Sequence, residues 1–201
     1  MQKSWRSFWY PFYILTKKEK KFMNSDLIKK MVLAAMFLAM GILLPYLTLN
    51  NPQLGQVMLL MHIPVLLCGV LVGPRYAFIV GALLPITRSL LIGMPMMFPM
   101  AVSMAFELAT YGLVIGLLYN KLPKSIPLLY ASLIGAMVAG RLVWATAMVV
   151  ISGVSDVNFS FTAFVGGGFL TALPGIVLQL IVVPVIIIAF KAELSWRRAN
   201  A

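Results

Sequence analysis

From Lys30 onward the chain alternates long apolar stretches with short breaks of turn residues. Six runs stand out: Lys30–Leu47, Val57–Val72, Tyr76–Ile92, Met97–Leu118, Ile126–Ile151 and Phe161–Phe190. A helix needs about 20 mostly apolar residues to cross a hydrocarbon core of about 30 Å, so this pattern predicts six membrane helices. The breaks carry turn chemistry: Asn50-Asn51-Pro52, Gly73-Pro74, Gly93-Met94-Pro95, Leu122-Pro123-Lys124 and Ser155-Asp156-Val157-Asn158. Runs two, three and six are interrupted by Pro64, Pro85, Pro174 and Pro184. Such interruptions are tolerated in a bilayer where other protein or a cavity satisfies the freed backbone groups.

Composition agrees with the pattern. The 201 residues are 62% apolar and 10% charged, with a mean hydropathy of +0.98, too little polar surface to solvate a globule of this size. The expected fold is therefore an all-α integral membrane protein. Three parts are expected: an aromatic and basic segment 1–23, a six-helix domain 24–191 and a basic tail 192–201.

A net charge of +11 raises the possibility of nucleic-acid binding, which requires a basic stripe on a solvated fold. The distribution excludes it. Eight of the sixteen Lys and Arg lie in the first thirty residues, and between Met31 and Phe190 only Arg75, Arg88, Glu107, Lys121, Lys124, Arg141 and Asp156 are charged. With the N-terminus inside, fourteen positives fall on the cytoplasmic side and none in an external loop. The positive-inside rule then gives N-in and C-in with an even number of spans.

The segment Trp5 to Tyr13 is aromatic and precedes the basic cluster Lys17 to Lys21, the reverse of a signal peptide's order. It reads either as an interfacial anchor on an anionic leaflet or as an upstream start, with Met23 the initiator. Cys68 has no partner for a disulfide and is flanked by apolar residues, which predicts a buried inert thiol. One His and one Cys do not make a metal site. The Walker pattern is absent, so any ATP-driven transport draws its hydrolysis from a partner.

Two arginines remain after orientation is accounted for. At 1.5 Å per helical residue, Arg88, Glu107 and Arg141 each lie roughly 20 to 25 Å from the inner face, and His62 roughly 16 Å. Four ionisable groups on four spans thus share one slab, where an isolated charge costs at least about 2.5 to 3.5 kcal/mol and so must pair or face a wet cavity. Ser103, Glu107 and Tyr111 share one helix face, and Arg141 and Trp144 another. Together His62, Arg88, Glu107, Tyr111, Arg141 and Trp144 suit a small polar ring compound. The competing interpretation is a purely structural pair of Glu107 with Arg88 or Arg141, with His62 as a satisfied core residue. Gln179 on the sixth run either joins the pocket or makes a helix-packing hydrogen bond. Ala35-x-x-x-Ala39 forms a small-residue face near the inner end of the first helix, and Gly112, Gly116 and Gly140 read as internal packing points.

Six short spans, N-in and C-in, the Ala35-x-x-x-Ala39 pair, and the runs Met61-His62-Ile63-Pro64-Val65, Gly93-Met94-Pro95, Glu107 to Gly112, Gly140-Arg141 and Pro174-Gly175 together resemble an S component of an energy-coupling factor (ECF) transporter. The resemblance covers about Asn24 to Lys191. It implies a non-catalytic membrane subunit of a bacterial plasma membrane that binds a water-soluble vitamin or precursor near the outer face. Pyridoxine-type or hydroxymethylpyrimidine-type substrates are the nearest branch, with pantothenate as a related alternative. It also implies docking of Ala35 and Ala39 on a transmembrane T subunit carrying two ATP-hydrolysing A subunits. No cofactor resides in this chain; the partners use the ATP. The substrate would be covered by the external loop around Thr48 to Gln56, and the whole subunit would topple to deliver it.

Two other classes stay open on the residues alone. A self-sufficient proton- or sodium-coupled carrier could use Glu107 and His62 as a relay, although no inverted three-plus-three repeat is evident. An intramembrane enzyme lacks G-x-S-x-G, H-E-x-x-H or a paired-aspartate motif in the spans.

Overall fold

The computed structural model describes residues 25–48, 58–123, 125–154 and 172–199. The N-terminal aromatic segment, most of the Thr48–Gln56 loop, Lys124 and the polar turn with the start of the sixth run lie outside the described residues. So do the side chains of Lys191, Arg197 and Arg198.

Six α-helices occur in the described chain: α1 Ser25–Leu43, α2 His62–Leu71, α3 Pro74–Ile92, α4 Val102–Lys121, α5 Ile126–Val154 and α6 Leu173–Ala199. A 3₁₀ turn, Leu44–Thr48, continues α1, and a π-type turn, Met97–Ala101, leads into α4. Five segments are long and apolar enough to cross a membrane: Asp26–Tyr46, Pro74–Ile92, Met97–Lys121, Ile126–Gly153 and Leu173–Phe190.

The second predicted run is the exception. Its described helix has ten residues, about 15 Å of rise, half of what a crossing requires. Local chemistry accounts for both ends. Pro64 has no N–H and is accommodated in a first helical turn, and Leu59 just upstream holds a left-handed φ of 50°, incompatible with helix. At the other end Gly73, at φ 122°, makes a turn open to glycine alone, and Pro74 starts α3 at its first position. Nearly every residue of α2 is buried, including Cys68, so this short helix is a core plug among the longer ones.

Prolines expected to interrupt runs behave differently by position. Pro85 and Pro184 sit inside continuous helices, whereas Pro174 occupies the first turn of α6. Gly93 ends α3 in the left-handed conformation at φ 76°, its N–H returned to Ser89 O, a common helix stop.

Helix α4 is the hub. It packs against α3, α5 and α2, while α1 lies on α2 and α3, and α6 on α2 and α5. Between α3 and α4 the backbones touch: a Cβ on Gly112 would stand 2.6 Å from Ala77 O, and one on Gly116 2.7 Å from Pro74 Cα. Hydrocarbon gives apolar side chains no preference for each other over lipid, so close van der Waals approach of this kind is what associates membrane helices. The outer surface is correspondingly apolar, with Met31, Val32, Met36, Leu90, Leu91, Phe106, Leu142, Val150, Ile181 and Val185 exposed. Such a surface is suited to lipid. Of the five long segments, the first is the least enclosed by the rest of the chain.

Candidate functional site

Three helices bring polar groups to one buried point. Glu107 is 1% exposed in the second turn of α4. Four residues on, the Tyr111 hydroxyl donates to its Oε1 at 3.1 Å, the geometry expected of an i,i+4 pair. From α5, Arg141 Nη1 reaches the same oxygen at 3.0 Å. From the first residue of α2, His62 Nε2 stands 3.8 Å from it, and the His62 and Tyr111 rings lie 5.4 Å apart, tilted at 54°. The contacts to Tyr111, Arg141 and His62 thus converge on Glu107 Oε1. Trp144, one turn beyond Arg141, lies beneath the guanidinium at 5.9 Å, at the edge of cation–π range.

The approach of α5 to α4 depends on Gly140. Any side chain there would collide with the Tyr111 ring, and a Cβ would come within 3.1 Å of Glu107 O. Glycine therefore lets the helix backbone close on Tyr111 and carries the adjacent Arg141 to Glu107. In the sequence Gly140 is a packing point, and its position beside Arg141 is the one signal of more.

Buried polar atoms are left over on α2, α5 and α6. His62 Nδ1 and Nε2, Arg141 Nε and Nη2, and both amide atoms of Gln179 are buried without a hydrogen-bond partner among the described residues. Most buried polar groups in folded proteins are bonded, so this concentration is unusual. His62 has the 3.8 Å approach to Glu107 but no hydrogen bond to a described neighbour, and neither has Gln179. Gln179 belongs to α6, which packs against the helices that carry His62 and Arg141.

Arg88 is engaged elsewhere. Its Nε donates to Met94 O at 3.1 Å and its Nη1 to Ile42 O at 3.0 Å. It satisfies a carbonyl at the end of α1 that the helix itself leaves free and ties that end to the turn after α3. The expected choice between Arg88 and Arg141 as partner of Glu107 is therefore resolved in favour of Arg141, because α3 directs Arg88 to α1 and the Met94 turn. Ser103 is buried on the Glu107 face, but its hydroxyl donates to Met100 O at 2.9 Å, which commits it to the first turn of α4.

On α1, Ala35 and Ala39 are exposed while Ala34 and Phe37 are buried. The small-residue face thus points away from the bundle.

Chemically, the buried cluster combines N–H donors, a carboxylate acceptor, an imidazole and aromatic faces. Among known proteins, a family model described as ECF transporter, substrate-specific component, matches residues 29–187. No curated protein and no solved structure matches the chain.

Proposed function

The chain belongs to the family of ECF transporter substrate-specific components, non-enzymatic subunits that bind the substrate of a transporter, and on that premise we propose that its ligand site is the buried cluster of His62, Glu107, Tyr111, Arg141 and Trp144, with Gln179 at its border. The observation that carries this reading is the meeting of three helices on Glu107 Oε1 with four buried polar atoms of His62 and Arg141 left unbonded. A purely structural ion pair leaves no reason for that surplus, since each orphaned group costs about 1 to 3 kcal/mol.

The bundle would insert with six helices, N-in and C-in, in the plasma membrane of a bacterium, the short α2 being packed within the others. In that orientation the cluster lies in the outer half of the membrane, where a substrate from outside would arrive. The ligand is a small water-soluble vitamin or precursor of the pyridoxine or hydroxymethylpyrimidine class, pantothenate being the alternative. A T subunit would dock on the outward Ala35 and Ala39 face of the least enclosed helix, and two A subunits would hydrolyse the ATP.

Co-expression with the host's T and A subunits tests the assembly. Stable co-purification, with mass-spectrometric release of a small molecule from the purified protein, is the expected result. Failure to assemble, together with uptake in liposomes lacking any ATPase, would replace the proposal with a self-sufficient carrier.

A further inference from the structure

Arg141 holds more information about the ligand than its charge. Its guanidinium is planar, with five N–H groups in a fixed fork. One terminal nitrogen, Nη1, is spent on Glu107 at 3.0 Å, and one face is turned to Trp144 at 5.9 Å. The remaining edge presents Nε–H and Nη2–H side by side, both buried and unbonded among the described residues. Two parallel donors call for two adjacent acceptors in the same plane. Carboxylates satisfy that geometry, and so do the edges of heterocyclic rings.

Charge separates these two classes. The positive charge of Arg141 is already balanced by Glu107. A substrate carboxylate on the free edge would place two carboxylates on one guanidinium in a medium of low dielectric, an arrangement that like-charge repulsion disfavours. The other buried guanidinium, Arg88, gives its Nε and Nη1 to the carbonyls of Met94 and Ile42, and so does not offer them to the cluster.

Resting on the site proposed above, we infer that the substrate is an uncharged ring that presents two adjacent acceptors to Arg141 Nε and Nη2, drawn from ring nitrogen, carbonyl oxygen and hydroxyl oxygen. Pantothenate and other carboxylates are thereby disfavoured.

The test begins with the small molecule released from the detergent-purified full chain. An uncharged heterocycle with such an edge is expected; a carboxylate or phosphate would overturn this inference and leave the binding site itself standing. If no small molecule is released and neither vitamins nor heterocycles raise the melting temperature, the underlying site reading fails instead. Arg141→Lys then separates charge from geometry, because lysine keeps the charge but lacks the parallel fork. Affinity for the released compound should fall roughly ten- to hundredfold and show little dependence on salt. Retention of affinity within a few-fold would overturn the inference. Should the lysine variant be unstable, the wild-type protein serves: a ligand analogue with one edge acceptor replaced by C–H should lose a similar factor, and unchanged affinity would count equally against it.

Discussion

Arg141 on α5 and Glu107 on α4 meet at 3.0 Å between Nη1 and Oε1, and both side chains are buried. The pair joins two helices where burial leaves neither charge stable alone. It also fixes the orientation of the guanidinium and so decides which of its donors remain for a ligand.

Removing one member of this pair should be worse than removing both. Glu107→Gln strands a buried guanidinium, and Arg141→Met strands a buried carboxylate; each should cost about 3 to 5 kcal/mol of stability. The double variant should recover much of that loss while still failing to bind ligand. Thermal melts of the four proteins in detergent measure the coupling, and strictly additive losses would show that the two groups do not act as a pair.

Gly140→Ala should push α5 from Tyr111, since even a methyl group there collides with the ring. The expected loss is about 1 to 3 kcal/mol, with a matching fall in ligand affinity as Arg141 is displaced. Gly153→Ala is the control: a Cβ there meets nothing within 4 Å, and replacing an open helical glycine should be neutral or slightly stabilising.

Arg88→Ala releases the carbonyls of Ile42 and Met94. Hydrogen exchange should quicken in the last turn of α1 and around Met94, while ligand affinity falls much less than in Arg141→Ala. Equal losses of affinity in the two variants would place Arg88 in the ligand site.

Ala35→Leu with Ala39→Leu should abolish co-purification with the T subunit and leave ligand binding unchanged. Both positions already face outward from the bundle, so added bulk there does not disturb the core. Intact assembly in the double variant would move the docking face elsewhere on the subunit.

Much of this architecture can be read along the chain. Five of the six apolar runs contain helices long enough to cross, and the pairing of Glu107 with Tyr111 follows from helical spacing. The shortness of α2 was less accessible, because apolarity continues through Val57–Met61 while Leu59 and Pro64 decide where helix begins. Depth along each span placed Arg88, Glu107, Arg141 and His62 in one slab, but depth carries no information about rotation around a helix axis. That rotation is set by packing between helices, and it sends Arg88 to backbone carbonyls and Arg141 to Glu107. The role of Gly140 was hidden for the same reason: a glycine shows its purpose only when the neighbouring Tyr111 ring is in place.

The most direct test compares the small molecule carried by detergent-purified wild-type protein with that carried by Glu107→Gln, quantified per mole of protein by mass spectrometry, each co-expressed with the T and A subunits. A ligand in the wild type that is strongly depleted in a variant still assembled with its partners is the predicted result. Equal occupancy of the two assembled proteins would contradict it, and would reduce the Glu107 cluster to a structural ion pair.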